Sequence, residues 1–197
     1  MRFVVLSSSR GTTFQAILNA ITDGSLTAQC LGLVTDRPDR GCIEKAQAAG
    51  VPVVVVPKRA GESREEYDDR LDAAIRSLGN VDIIAAIGWM FVLTSSFIAR
   101  WHRNILNVHP ALLPKYGGRE MYGEKVHAAV LKSGERESGM TIHLMDEGVD
   151  TGRILLQKRC PVLSEDTPEI LKTRVQELEK EWYPKVLQMI ERGELLL

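Results

Sequence analysis

The sequence predicts an α/β protein built on a parallel sheet with helices on both faces. Three observations carry this prediction. Short apolar runs alternate with amphipathic stretches, apolar residues within those stretches recur at helical spacing, and glycines such as Gly24 and Gly50 end several of them. Strand–helix alternation of this kind is typical of parallel sheets that helices cover on both sides.

The first half of the chain predicts five strands separated by helices. The apolar runs predicted as strands cover residues 3–7, 30–34, 51–56, 81–87 and 104–108. Helices are predicted over 14–21, 41–49 and 62–78. One face of the last helix carries Tyr67, Leu71, Ala74, Ile75 and Leu78. We expect this half, residues 1–108, to form a phosphate-binding strand–helix unit.

The second half, residues 109–197, has a different pattern. Residues 109–123 predict a loop, because they hold two prolines and three glycines. A helix is predicted over 124–132, and strands over 140–145 and 153–162 with a turn between them. Residues 166–192 predict a long C-terminal helix with a kink at Pro184. We find no linker, and therefore expect one domain over 1–197.

Composition limits the classes of function. The chain has 197 residues, 44% of them hydrophobic and 26% charged, with a formal net charge of -1. A near-neutral chain has no basic field for nucleic acid, and no apolar stretch approaches the roughly 20 residues of a membrane span. Three separated cysteines predict reduced thiols and a cytoplasmic protein. The four histidines show no zinc spacing, so we expect no metal.

The first candidate site is the segment Ser7–Thr13, between the first strand and the first helix. Gly11 permits close approach of the backbone, and Thr12 or Thr13 can cap the helix. Backbone N–H groups at a helix N-terminus bind phosphate. The segment matches neither dinucleotide-binding nor P-loop glycine patterns. The alternative is an ordinary turn with a capping threonine.

The second candidate site is Asn107-Val108-His109-Pro110. Residues two apart on a strand face the same side, so Asn107 and His109 are expected to project together at the end of the fifth strand. An amide can donate to an oxyanion, and an imidazole can move a proton. This pair suits acyl transfer. The alternative is a structural histidine bonded to backbone.

The third candidate is the acidic turn 146–152. A carboxylate from this turn, Asp150, would raise the pKa of His109 and orient its ring if the two were adjacent, which sequence alone does not show. The alternative is a solvated turn. Trp89, Met90 and Phe91 follow a strand end and suit either the core or an apolar slot for a flat ring.

The remaining histidines carry weaker expectations. We predict His102 to lie on the surface and His143 to be a core histidine with its hydrogen bonds satisfied. His127 lies on the helix after the loop, where it could face either the site or a packing partner.

Together, these residues resemble the folate-dependent formyltransferases. The run Asn107–Tyr116 (NVHPALLPKY) and the downstream Asp150-Thr151-Gly152 carry the resemblance, which covers essentially the whole chain. It implies a Rossmann-like, mostly parallel twisted sheet of about seven strands. It also implies formyl transfer from 10-formyltetrahydrofolate to the amine of glycinamide ribonucleotide in purine biosynthesis. The implied catalytic trio is Asn107, His109 and Asp150. Asn107 and His109 would stabilise the tetrahedral oxyanion, and Asp150 would support His109 and proton transfer.

The resemblance also assigns binding residues. Those implied for the phosphate and ribose of the acceptor are Arg10, Gly11, Thr12, Thr13, Gln176 and Glu179. Those implied for the folate are Arg64, Trp89, Met90, Val92, Leu93, Asn107, Met145, Asp146, Glu147 and Asp150. Thr141 and His143 match supporting positions behind the trio. The chain departs from the family pattern at Ser9, Arg10, Thr13, Phe91 and the longer loop 117–123.

Other functions stay open at this point. A formyltransferase acting on another amine, such as an amino sugar nucleotide, would share the trio. A tRNA formyltransferase or a formyltetrahydrofolate deformylase would carry an additional domain, which we do not expect here. A non-catalytic nucleotide-binding module would have no need for the trio. We expect small-molecule substrates, no tightly bound cofactor, no nucleic-acid or membrane partner, and a monomer or homodimer.

Overall fold

The computed structural model describes residues 1–101 and 104–197, which form seven strands and six helices. The strands are β1 (Arg2–Leu6), β2 (Gln29–Thr35), β3 (Val53–Val55), β4 (Ile83–Ala86), β5 (Ile105–His109), β6 (Glu137–Leu144) and β7 (Ile154–Pro161). The helices are α1 (Thr12–Thr22), α2 (Cys42–Ala48), α3 (Arg64–Ser77), α4 (Ser95–Arg100), α5 (Glu124–Lys132) and α6 (Pro168–Glu191). The predicted surface residue His102 lies outside the described residues.

The strands form one sheet in the order β3-β2-β1-β4-β5-β6-β7. The pairs from β3 to β5 are parallel, whereas β5–β6 and β6–β7 are antiparallel. This arrangement confirms the predicted mostly parallel sheet. The chain leaves β1 towards β2 on one side and returns to β4 on the other, and ligands of open α/β sheets bind at such a reversal.

The sheet separates two hydrophobic cores. Phe3 and Val5 face α1, α5 and α6, while Val4 and Leu6 face α3 and α4, and all four are fully buried. Alternate residues of β1 thus enter opposite cores, because strand side chains alternate between the faces of a sheet. Helices therefore cover both faces, as the sequence predicts. Tyr183 of α6 donates from its hydroxyl to the backbone oxygen of Leu106 at 3.0 Å, which ties α6 to β5.

Several boundaries differ from the sequence predictions. The structure adds α4, whose N-cap Thr94 accepts from the Phe97 N–H and whose six residues are too few to show a helical period. β3 shortens to three residues at the sheet edge, between Pro52 and Pro57. The long helix α6 runs through Pro184. Among the helices of the described residues, none has the length and apolar character needed to cross a membrane.

Candidate active site

A cleft of about 440 Å³ opens at the carboxyl ends of β1, β4 and β5. α5 and α6 form one of its walls, and the segment after β4 forms the opposite one. The residues that line the cleft and that the sequence also predicts are Arg10, Thr12, Thr13, Trp89, Met90, Val92, Leu93, Asn107, His109, Met145, Asp150, Gln176 and Glu179. One cavity thus joins the three candidate segments.

The turn after β1 ends in an uncapped helix. Gly11 is the N-cap of α1 with φ 76°, and among the described residues no side chain caps the helix. A Cβ at Gly11 would lie 2.8 Å from Cys42 Cβ, so glycine is required there. The prediction that Thr12 or Thr13 caps the helix is therefore wrong. The free N–H groups of the first turn face the cleft with the positive end of the helix dipole, which suits an anion.

Thr13 forms a contact across the molecule instead of a cap. Its hydroxyl donates to Oε2 of Glu179, on α6, at 3.1 Å. Glu179 is 9% exposed, and burial raises its pKa to about 7, although the bond from Thr13 acts in the opposite direction. Gln176 lies one turn before it and also lines the cleft. Two predicted acceptor-binding segments, α1 and α6, are thereby joined.

Asn107 and His143 face each other across β5 and β6. The two residues are register partners, and Nδ2 of Asn107 lies 3.0 Å from Nε2 of His143. His143 Nδ1 lies 2.9 Å from the backbone oxygen of Leu144, which only accepts, so Nδ1 carries the proton. His143 Nε2 therefore accepts from the Asn107 amide. This bond orients the amide and leaves its second N–H for the cleft.

His109 and Asp150 meet next to this pair. Nδ1 of His109 lies 3.4 Å from Oδ2 of Asp150, and His143 Nε2 lies 3.6 Å from its Oδ1. The Gly118 N–H donates to Asp150 Oδ2 at 3.1 Å, and His109 Nε2 donates to the Tyr116 carbonyl at 2.7 Å. Since Nε2 holds a proton, Nδ1 and the carboxylate attract each other only when a second proton lies between them. The His109–Asp150 pair is therefore arranged to accept a proton.

The surroundings shift the pKa values of both His109 and Asp150. Burial lowers the pKa of His109 below its ordinary value, although Asp150 pulls it upwards. Burial alone would raise the pKa of Asp150, but His143, His109 and the Gly118 N–H together hold it below its usual value. At neutral pH the cluster therefore presents a carboxylate beside a neutral imidazole, which is the state that accepts a proton.

Thr141 holds the loop that follows His109. Its hydroxyl donates to the Ala111 carbonyl at 2.7 Å and accepts from the Leu113 N–H at 3.1 Å. Gln157 on β7 donates to the same hydroxyl at 3.0 Å. Thr141 is fully buried and lies outside the cleft. Its contacts fix the backbone of residues 111–113, which follows His109 and Pro110 in the chain.

The wall opposite α6 is apolar and aromatic. The Phe91 ring lies 5.2 Å from that of Tyr67 and 5.5 Å from that of Trp89, centre to centre. Phe91, one of the departures from the family pattern, is thus part of a cluster of tilted aromatic rings. Trp89 Nε1 is buried and has no hydrogen-bond partner among the described residues, so the indole offers its ring surface and not its N–H to the cleft.

Four predicted binding residues do not line the cleft: Gly11, Arg64, Asp146 and Glu147. Gly11 shapes the backbone next to it. Arg64 is an exposed residue in the first turn of α3. The Asp146 carboxylate accepts from Thr151 Oγ1 at 2.6 Å and from the Gly148 N–H at 3.1 Å, so it organises the turn that places Asp150. The ligand roles of these residues stay predictions.

The structure adds residues to the wall that sequence reasoning missed or left undecided. His127 and Lys172 line the cleft from α5 and α6, and Gly118, Arg119 and Tyr122 line it from the long loop. The sequence could have indicated Lys172 as a cleft residue, because it lies four residues before Gln176 and therefore on the same side of a helix. The loop residues could not be found in this way, because a loop has no periodic pattern and its conformation decides which of its side chains reach the cleft.

Comparison with known proteins agrees with this geometry. The family model described as Formyl transferase matches residues 1–187. A chloroplastic phosphoribosylglycinamide formyltransferase from Arabidopsis thaliana is 40% identical over 190 residues, which are 96% of this chain and 65% of that protein. The chain thus spans just under two thirds of that relative.

Shorter relatives match over most of their length. The phosphoribosylglycinamide formyltransferase of Haemophilus influenzae is 34% identical, with 100% of this chain and 90% of that protein covered. The crystal structure of glycinamide ribonucleotide transformylase 1 from Symbiobacterium toebii superposes with a TM-score of 0.92 at 32% identity, covering 100% of this chain and 90% of that one. The likeness therefore extends over the sheet, the loops of the cleft and α6.

Proposed function

The chain belongs to the formyl transferase family, and from this membership we propose that it formylates the amine of glycinamide ribonucleotide with 10-formyltetrahydrofolate. The products are the N-formyl ribonucleotide and tetrahydrofolate, and the reaction is a step of purine biosynthesis. Both ligands are substrates, and the proposal includes no tightly bound cofactor. We place the reaction in the cytoplasm.

One observation carries the proposal most directly. The amide of Asn107 and the His109–Asp150 pair meet where the uncapped end of α1 and the aromatic wall share one cleft. A nucleotide-binding module needs the helix end alone. A transferase needs two ligands held in contact, and holding them in register lowers the barrier by up to about 7–11 kcal/mol in favourable systems.

The chemistry needs a proton acceptor and an oxyanion donor. The acceptor amine attacks the formyl carbon, a carbon–nitrogen bond forms, and the bond from that carbon to N10 of the folate breaks. The amine loses one proton and N10 gains one. Asp150 and His109 accept and relay this proton, while the free N–H of Asn107 donates to the formyl oxygen as negative charge develops on it.

The acceptor half of the cleft, which the start of α1 and the side of α6 form, holds the ribonucleotide. The phosphate binds the free N–H groups at the start of α1, with Arg10 at the mouth of the cleft. Gln176 and Glu179 bind the phosphate and the ribose from α6. A carboxyl with a pKa raised to about 7 switches between donor and acceptor near neutral pH, and either form can bond a ribose hydroxyl.

The donor half of the cleft, which the apolar segment after β4 forms, holds the folate. Trp89, Met90, Val92 and Leu93 offer apolar surface for the pterin, and Met145 lies among the residues that line the same cleft. Met90 is 50% exposed, and an exposed apolar side chain at a cleft mouth is available to a ligand. The indole ring of Trp89 adds a flat aromatic surface to this wall.

The test is turnover with the two proposed substrates. We expect tetrahydrofolate release when the protein is incubated with 10-formyltetrahydrofolate and glycinamide ribonucleotide. An amino sugar nucleotide, which another member of the family would formylate, serves as the comparison acceptor. Release with the amino sugar nucleotide and none with glycinamide ribonucleotide would contradict the proposed acceptor. Release with neither would contradict the enzyme assignment.

A further inference from the structure

His127 is a buried histidine that the chemistry described above does not use. It lies on α5, is 2% exposed, and contributes to the wall of the cleft. Its Nδ1 is enclosed by protein atoms, whereas Nε2 retains some accessible surface, and no described residue hydrogen-bonds to either nitrogen. A buried polar atom without a partner is costly to a folded protein, so such atoms call for an explanation.

A comparison with His143 distinguishes this state from an ordinary buried histidine. The two side chains are almost equally buried, at 1% and 2% exposed. His143 uses both ring nitrogens, one towards Asn107 and one towards the Leu144 carbonyl. His127 has the same hydrogen-bonding capacity, and its accessible nitrogen, Nε2, has no protein partner among the described residues although the residue lines the cleft. The missing partner is therefore most simply a ligand.

The surroundings keep His127 neutral. Burial lowers its pKa to about 4, and the positive charge of Lys172 acts in the same direction, while Glu124 opposes it. Lys172 is itself paired with Glu124 at 3.2 Å. At neutral pH the imidazole thus offers one donor and one acceptor, which suits an uncharged polar group such as a hydroxyl or an amide.

The position of His127 selects one half of the cleft. α5 packs against α6, and Lys172, Gln176 and Glu179 lie on one side of α6 at spacings of four and three residues. His127 stands beside Lys172 on this wall, whereas Trp89 and Phe91 pack in the core on the other face of the sheet. A ligand bonded to His127 therefore occupies the acceptor half.

We propose that His127 is a substrate-binding residue that hydrogen-bonds an uncharged hydroxyl or amide of the acceptor. This inference rests on the proposed function and adds a determinant of acceptor specificity to it. An acceptor that lacks the matching polar group leaves the imidazole unpaired in the closed complex and is discriminated against. The folate makes no contact with it.

Three variants test the inference. His127→Phe keeps a flat ring and removes both nitrogens, while His127→Gln restores a polar atom near the position of Nε2. We expect His127→Phe to raise the KM for glycinamide ribonucleotide by roughly tenfold or more with the KM for 10-formyltetrahydrofolate unchanged. His127→Gln should regain part of this loss. Val126→Ala, at a fully buried neighbour outside the cleft, should lower thermal stability and leave both KM values unchanged.

The outcomes separate the two proposals. If the wild-type protein does not formylate glycinamide ribonucleotide, the proposed function and this inference both fail. If the wild type is active and His127→Phe leaves the acceptor KM unchanged, only the inference fails. A rise of both KM values together in His127→Phe, matched by Val126→Ala, would assign His127 a structural role and overturn the inference.

Discussion

The proposed function gives the two halves of the cleft different physical means of binding their ligands. The acceptor half consists of backbone and polar groups: the uncapped end of α1, the Thr13–Glu179 contact and the unpartnered His127. The donor half consists of apolar side chains around Trp89 and Phe91. The first half depends on backbone conformation and hydrogen-bond geometry, and the second depends on shape and burial. Substitutions in the two halves should therefore affect different kinetic constants.

The largest effect is expected where the halves meet. Asp150→Asn removes the carboxylate that pairs with His109. Asp150 has φ 60°, a conformation that Asn also tolerates, so the backbone is preserved. We expect kcat to fall by about two orders of magnitude or more, because general-base catalysis is worth 10²–10⁴-fold. Both KM values should change little. A near-normal kcat in this variant would remove Asp150 from the mechanism.

The acceptor half is disrupted by Gly11→Ala. The new Cβ would meet Cys42 at 2.8 Å and would hold a residue with φ 76° in a left-handed conformation. We expect the acceptor KM to rise roughly tenfold, because the N–H groups of α1 shift from the phosphate. The donor KM should stay constant.

Gly24→Ala is the matched control for this change. Gly24 has φ 80° with no atom within 4 Å of a built Cβ, so this variant carries the same backbone strain without a clash and away from the cleft. It should lower stability by about 1 kcal/mol and leave the kinetics unaltered. Equal kinetic effects in the two glycine variants would show that the turn at Gly11 has no particular role in binding.

The donor half is tested by Trp89→Phe. This substitution retains an apolar ring and reduces the flat surface that the wall offers to the pterin. We expect a rise of roughly three- to tenfold in the KM for 10-formyltetrahydrofolate, the effect of the lost apolar contact, with the acceptor KM unchanged.

Trp101→Phe provides the comparison. Its Nε1 donates to Asp72 at 2.9 Å, away from the cleft, so losing this bond should reduce stability alone. A shifted acceptor KM in Trp89→Phe would show that the two halves are not independent.

A separate effect concerns pH and stability and leaves the kinetic comparison of the two halves aside. Glu179 has its pKa raised to about 7, so between pH 4.5 and 7 the folded protein holds a proton that the unfolded chain has released. Stability should therefore fall as pH rises through this window, by roughly 3 kcal/mol at most for this group.

Glu179→Gln should remove that part of the pH dependence, as measured by urea unfolding at pH 5 and pH 8. Glu177→Gln, at an exposed residue on the same helix, should leave it intact. An unchanged pH profile in Glu179→Gln would mean that the carboxyl is ionised in the fold throughout.

The sequence predicted most of the sheet because periodicity is a local property. Apolar runs and helical spacing located all seven strands and five of the six helices that the described residues form. α4 was missed because six residues hold less than two helical turns. The capping role given to Thr12 or Thr13 was wrong because Gly11, in a left-handed conformation, takes the N-cap position.

The site was predictable in part. Strand alternation placed Asn107 and His109 on one face, and the resemblance to formyltransferases supplied Asp150. The contacts between distant residues were not accessible in this way. Thr13 meets Glu179 across 166 positions of the chain, and His127 reaches the cleft only because α5 packs against α6. Such contacts depend on tertiary packing, for which a single sequence carries no local pattern.

A crystal structure of the ternary complex would show directly whether both ligands meet at Asn107, His109 and Asp150. The ligands would be glycinamide ribonucleotide and a folate analogue in which carbon replaces N10, so that no transfer occurs. We expect phosphate on the first-turn N–H groups of α1, the pterin against the wall of Trp89, and the acceptor amine between the three side chains. An amine bound away from these three side chains, or a folate outside the aromatic wall, would contradict this expectation.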